Sequence, residues 1–186
     1  MFSADRMRLV VLDRDGVLNK ESDAFIKSPA EWVPIAGSMQ AVARLNQAGF
    51  RVVVATNQSG IARGLLDLDT LGLIHAKMRD ALSDVGGHVD GIFFCPHGPG
   101  DGCNCRKPLP GLFQQISERF DVDLAGVPAI GDSLRDLQAA SAVGASPMLV
   151  RTGKGKRTLG SPDLAADIPV FDDLAAAVDQ LLKVND

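Results

Sequence analysis

Nowhere in the sequence do apolar residues run uninterrupted for the ~18 positions that a membrane-spanning helix needs, so no span is expected. The opening stretch MFSADRMRLVVLD has only a short apolar run leading straight into acidic residues, which is not the pattern of a secretory signal. There is no internal repeat, no low-complexity tract and no Pro/Gly-rich linker between long halves. Positive charge is not in excess either. Lys and Arg total 19 against 23 Asp and Glu, for a net charge of −4, so neither a nucleic-acid nor a membrane partner is expected. Cysteine is scarce, and its odd count of 3 excludes a complete disulfide framework. These absences leave a cytoplasmic protein with reduced thiols, expected to be a monomer. Its 186 residues, 46% hydrophobic and 23% charged, suit a single globular domain spanning 1–186.

What is present alternates between two periodicities. Arg8–Leu12, Arg51–Ala55, Gly91–Phe94, Val127–Ile130 and Met148–Val150 read as short buried strands. Between them, helical spacing recurs. Met39, Val42 and Leu45 mark one helix, stopped by Gly49; Leu68, Leu71, Ile74, Met78, Leu82 and Val85 form a second stripe, stopped by Gly86. Phe113, Ile116 and Phe120 mark a third, Leu134, Leu137 and Ala140 a fourth, and Leu174, Val178, Leu181 and Leu182 the last. Alternating strands and helices imply right-handed parallel crossovers, hence a three-layer α/β/α fold with a mainly parallel sheet. Ligands in such sheets bind beyond the carboxyl ends of the strands. Asp13, Asp15, Thr56, the cysteine segment and Asp132 all fall at such ends.

The segment Asp13-Arg14-Asp15-Gly16 sets two carboxylates two residues apart, an arrangement poorly tolerated without a cation or a shared proton. Asp132 adds a third acid, and Asp136 follows one helical turn later. An all-oxygen donor set with room for water suits Mg²⁺. The competing reading is a set of solvated turn and N-cap acids. Thr56 in TNQSG and Lys107 in RKP supply a hydroxyl and an ammonium, completing the parts needed to attack phosphorus and hold its equatorial oxygens. No GxxxxGK[ST] loop is present, so the phosphate is not that of a P-loop-bound nucleotide.

In order, DRDGVLN, TNQSGIARG, CPHGP…GCNCRKP and GDSLRDLQAA resemble the haloacid-dehalogenase superfamily of Mg²⁺-dependent phosphatases over nearly the whole chain. Within it they are similar to the branch acting on heptose bisphosphates and related to the histidinol-phosphatase domain. The resemblance implies a Rossmann-like fold of that superfamily without a separate cap domain. It further implies removal of the 7-phosphate of a heptose 1,7-bisphosphate on the route to nucleotide-activated heptose. Asp13 would be the nucleophile, forming an aspartyl-phosphate, and Asp15 the general acid and base. Asp13, Asp132 and the Asp15 carbonyl would ligate Mg²⁺. Thr56 and Lys107 would stabilise the transferring phosphoryl group, with Asp136 supporting the metal ligands. Substrate contacts map onto Glu21, Ser22, Asp23 and Ala24, and onto Thr56, Asn57, Gln58 and Ser59. Where some relatives carry a lysine after the last metal aspartate, this chain has Ser133.

Cys95, His97, Cys103 and Cys105 make a C-x-H-x₅-C-x-C cluster in a loop at about 95–107. Four N/S donors fill a tetrahedral Zn²⁺ shell and leave no position for water, which points to a structural site. The competing readings are unliganded thiols or a Cys103–Cys105 disulfide, the latter strained at that spacing. Arg106 and Lys107 follow the last ligand directly, so fixing Cys105 also aims both cations; Arg106 can read a second phosphate. His75 and His88 lack partner ligands and read as packing or surface residues. The basic run Arg151, Lys154, Lys156 and Arg157 reads as a solvated turn or an anion-binding loop, and Trp32 as a loop staple or a cleft wall. Two alternatives stay open: another small substrate such as histidinol phosphate, or a receiver-like module that stores rather than turns over a phosphoryl group.

Overall fold

A computed structural model describes residues 7–184; part of the N-terminal stretch read above for a signal lies outside them. Six strands form one parallel sheet: β1 (Leu9–Leu12), β2 (Arg51–Asn57), β3 (Gly91–Cys95), β4 (Pro128–Gly131), β5 (Ser146–Val150) and β6 (Val170–Phe171). The helices between them are α1 (Ser38–Gln47), α2 (Leu68–Ser83), α3 (Gly111–Phe120), α4 (Leu134–Ala142), the short α5 (Gly155–Leu159) and α6 (Leu174–Lys183), with a 3₁₀ turn at Pro29–Glu31. No helix of the described residues is long and apolar enough to cross a membrane.

Every residue of β1 is buried, as a central parallel strand covered on both faces requires. Alternation then divides its side chains. Val10 and Leu12 join Val42, Leu45, Ile74, Met78, Leu174 and Val178 in one core, while Leu9 and Val11 join Leu112, Phe113, Ile116, Ala139 and Ala140 in the other. Helices α1, α2 and α6 therefore cover one face, and α3 and α4 the opposite one. The three-layer expectation holds.

The strand order is β3-β2-β1-β4-β5-β6, so the chain winds outward from β1 in one direction and later returns to its other side. The β1/β4 junction is the topological switch point where such sheets open a crevice. Four strand ends define that crevice: Asp13 follows β1, Thr56 and Asn57 end β2, Cys95 ends β3 and Asp132 follows β4.

Two details depart from the sequence pattern, and one open reading is decided. The α2 stripe begins at Leu71, because Leu68 in the first turn is 60% exposed. Both β6 and α5 are too short, at 2 and 5 residues, for periodicity to register. Trp32 is buried in the core with its carbonyl bonded to Lys77 Nζ at 3.0 Å, and so it staples the loop.

Candidate active site

The β1–β4 ladder continues one bond past the strand, where the Asp13 N–H donates to the Ile130 carbonyl at 2.9 Å. That bond sets Asp13 beside Asp132, and the carboxylates of Asp13, Asp132 and Asp136 come within 4.8 Å of one another. Two glycines make the approach possible. A Cβ at Gly16 (φ +85°) would meet Asp132 Oδ2 at 2.0 Å, and one at Gly153 would meet it at 2.2 Å. Burial, then the charges of Asp136 and Asp13, push Asp132 up to about 9. Burial and Asp136 likewise raise Asp13 to about 7, against the pull of Lys107. Crowded acids with raised proton affinity are what a divalent cation relieves.

Asp136 belongs to this cluster but is fully engaged. Its Oδ1 meets Lys107 Nζ at 2.6 Å, and its Oδ2 accepts from the Ser133 N–H (3.0 Å) and Oγ (2.8 Å) at the start of α4. Burial alone would raise its pKa; Lys107 and Ser133 reverse that and hold it below the usual carboxylate range. The basic segment 151–157 leaves Lys156 and Arg157 exposed but turns its backbone onto Asp132. The Lys154 N–H donates to Asp132 Oδ2 at 2.7 Å, Thr158 Oγ1 donates to the Asp132 carbonyl at 2.8 Å, and Lys154 Nζ lies 3.2 Å from Glu21. Glycine at 153 let the backbone reach the acid, a feature that charge counting does not register.

Asp15 is held differently. The wholly buried Arg14 grips it through Nε at 3.0 Å and Nη2 at 2.9 and 3.1 Å, while Asn19 and Gln58 each donate to it at 2.9 Å. Burial would raise the Asp15 pKa, but the Arg14 charge and these donors more than offset it and keep it ionised. Gln58 Nε2 also donates to Thr56 Oγ1 at 2.9 Å, and Arg14 Nη1 lies 3.2 Å from His75 Nε2. Arg14 has no assigned role in the sequence pattern, and His75 reads there as a packing or surface residue. His75 is 5% exposed and inside the site's scaffold; the only signal available was its place one residue after Ile74 on the buried stripe of α2.

Lys107 is 2% exposed and reaches the acids from the cysteine loop, with Nζ 3.1 Å from Asp13 and 2.7 Å from the Ala55 carbonyl. Its backbone is clamped by Asn57, whose side chain takes the Lys107 N–H and donates to the Lys107 carbonyl, both at 3.0 Å. Just upstream, Cys95 Sγ lies 3.6 Å from His97 Nδ1 and 3.7 Å from Cys103 Sγ, and His97 Nδ1 lies 3.3 Å from Cys105 Sγ. Tetrahedral Zn–S and Zn–N bonds of about 2.3 and 2.0 Å imply ligand separations of roughly 3.5–3.8 Å, which two of these distances match and the third approaches to within about 0.2 Å, so the donor set fits zinc. No disulfide links the three thiols.

The cleft over the acids has a volume of about 230 Å³. Glu21, Ser22, Asp23, Thr56, Asn57, Gln58, Ser59, Arg106 and Lys107, read from the sequence as substrate contacts, line it; Ala24 is not among the lining residues, and its carbonyl accepts from Lys27 Nζ at 2.8 Å. Arg63 and Arg135 also line it and were not anticipated. They gather with Arg106 only through the fold.

Comparison with known proteins gives a consistent picture. The chain matches the HAD-hydrolase-like family over residues 104–177 and the polynucleotide kinase 3 phosphatase family over residues 8–132. It is 61% identical to D-glycero-β-D-manno-heptose-1,7-bisphosphate 7-phosphatase of Bordetella bronchiseptica, covering 95% of this chain and 99% of the relative. The Pseudomonas aeruginosa protein of that name is 55% identical, with 94% and 98% covered. The crystal structure of the Bordetella bronchiseptica D,D-heptose 1,7-bisphosphate phosphatase, complexed with magnesium and phosphate, superposes with a TM-score of 0.94 over 96% of this chain and 99% of that one. The Burkholderia thailandensis enzyme superposes at 0.75 with 49% identity, covering 94% and 98%.

Proposed function

The chain belongs to the D-glycero-β-D-manno-heptose-1,7-bisphosphate 7-phosphatase family of HAD-like hydrolases, and from that membership we propose that it removes the 7-phosphate of the β-anomer of that sugar bisphosphate in a Mg²⁺-dependent reaction. The observation that carries this reading is the convergence of Asp13, Asp15, Asp132, Thr56 and Lys107 on one cleft at the β1/β4 junction.

In the first step an Asp13 carboxylate oxygen attacks phosphorus, the bond from phosphorus to the sugar oxygen breaks, and that oxygen takes a proton from Asp15. Water then attacks the aspartyl-phosphate, gives its proton to Asp15, and phosphate leaves with Asp13 restored. Asp15 begins ionised beside Arg14; a phosphate arriving next to it raises its proton affinity and loads it for the first step. Lys107 and Thr56 compensate charge on the equatorial oxygens. Mg²⁺, when bound, neutralises the phosphate and draws it to the nucleophile. Asp13, Asp132 and the Asp15 carbonyl would hold it; Asp136, with both oxygens engaged, anchors Lys107 instead. The substrate's other end falls to Arg106, supported by Arg63 and Arg135 on the same cleft, with Glu21, Ser22 and Asp23 toward the sugar hydroxyls. We place the protein in the cytoplasm, acting as a monomer, as one phosphatase domain with a structural zinc loop.

The test is a comparison of kcat/KM for the β- and α-anomers of the heptose bisphosphate and for histidinol phosphate, with Mg²⁺. A preference of at least about 100-fold for the β-bisphosphate over histidinol phosphate is expected, and Arg106→Ala should erase most of it through KM. Better turnover of histidinol phosphate would replace this assignment with the second substrate class.

Zinc would act through Cys105, two residues before Lys107, whose backbone the Asn57 side chain clamps to the end of β2. Stripping zinc, or Cys105→Ser, should cut kcat/KM by about 10–100-fold even in excess Mg²⁺. The same treatment should lower the melting temperature. Undiminished turnover of zinc-free protein would show that the loop and the catalytic lysine are independent.

A further inference from the structure

Arg14 is wholly buried, so its guanidinium has only protein groups to satisfy it. Two of its nitrogens hold Asp15, and Nη2 also donates to Gln58 Oε1 at 3.2 Å. The third nitrogen, Nη1, lies 3.2 Å from His75 Nε2. A guanidinium only donates, so this contact requires an unprotonated Nε2 and puts the ring proton on Nδ1. Burial, then the positive charges of Arg14 and Arg79, lower His75 to about 4, which keeps the ring neutral at physiological pH.

We infer that His75, on the rigid α2 helix, is a positioning residue: by accepting from Arg14 Nη1 it fixes the rotation of the guanidinium whose other two nitrogens aim Asp15 at the leaving oxygen. This rests on the phosphatase reading above, in which Asp15 transfers the proton. The tether also orients Gln58. With Oε1 turned to Arg14, its Nε2 must face Asp15 and Thr56, so one acceptor on α2 sets both a proton donor and a hydroxyl of the phosphoryl site. His75 touches none of the reacting atoms. The Phe94 ring lies beside it, centroids 6.2 Å apart, and holds the imidazole in place.

The test pairs two variants with a tautomer measurement on the full-length protein. His75→Phe keeps a ring beside Phe94 and removes the acceptor; His75→Gln keeps an acceptor at similar reach. For a sugar phosphate, whose alkoxide needs a proton to leave, His75→Phe should lower kcat/KM by about 10–100-fold. For 4-nitrophenyl phosphate, whose phenolate leaves unaided, the loss should be at least about fivefold smaller. His75→Gln should recover at least about a third of the parental value, and ¹⁵N spectra of the resting protein should show His75 Nε2 unprotonated. Equal losses on both substrates, parental activity in His75→Phe, no recovery in His75→Gln, or a proton on Nε2 would each overturn the inference. Should His75→Phe fail to fold, the Gln variant and the tautomer still decide. A parental protein inactive on every sugar phosphate would instead overturn the underlying phosphatase reading.

Discussion

Asp13→Asn should reduce phosphate release by at least about 10⁴-fold while leaving the fold intact. The amide is nearly isosteric and keeps the hydrogen bonds that seat residue 13, namely its N–H to Ile130 and the bond from the Arg14 N–H to its side-chain oxygen at 2.8 Å. What it loses is the nucleophile. Multiple-turnover assays with Mg²⁺ measure this directly. Residual turnover near the parental rate would remove Asp13 from the mechanism, whereas a parental protein that accumulates a stable phosphoryl group without turnover would favour a receiver-like module. The same variant should stabilise the metal-free protein at alkaline pH. Asp13 is raised in the folded protein from 3.8 to about 7, so between those values the folded state binds more protons than the unfolded one. Its contribution is therefore fully present at low pH and lost as pH rises through about 7. Asn carries no such penalty. The melting temperature of metal-free Asp13→Asn should exceed the parent's at pH 8, and the gap should narrow as pH falls below about 7 and close only near pH 4.

Strand ends and motif spacing carry much of this site in one dimension. Asp13, Thr56, Asp132 and Cys95 each stand at or next to the end of a recognisable apolar run, so a parallel sheet delivers them to one edge with little further information. Residues that act through a neighbour are harder to read. Arg14 sits inside the acidic motif, yet nothing in the sequence shows that its side chain turns inward to Asp15 and is wholly buried. His75 lies 61 positions from the group it serves, and Arg63 and Arg135 share the cleft with Arg106 only because segments following different strands converge there. The 151–157 segment is hard to read for another reason: its contact with Asp132 is made by a backbone N–H and by the missing Cβ of Gly153, neither of which side-chain charge registers. The Ser133 position, with no cation where relatives have one, acquires a purpose once Asp136 is seen to take its N–H and hydroxyl while holding Lys107.

Lys107→Met should be the most disruptive single change that leaves the nucleophile in place. The ammonium is 2% exposed and joins three acceptors: Asp13, Asp136 and the Ala55 carbonyl. Methionine matches the length of the stem but leaves two buried carboxylates without their cation, and breaking a buried pair from one side costs about 3–5 kcal/mol. Denaturant unfolding of metal-free protein at neutral pH should show that loss, and adding Asp136→Asn to the variant should recover part of it by removing one of the stranded charges. Turnover should fall by about 10²–10³-fold, the usual cost of removing one preorganised donor to a developing oxyanion. Excess Mg²⁺ separates the two effects. A cation at Asp13 and Asp132 can restore much of the stability, because it supplies the missing positive charge to the cluster. It cannot restore turnover, because the Asn57 side chain clamps the backbone of the residue that carries the ammonium, and a second cation has no such tether. Full catalytic rescue by Mg²⁺ would reduce Lys107 to a structural counterion and make the Asn57 clamp on it irrelevant to chemistry.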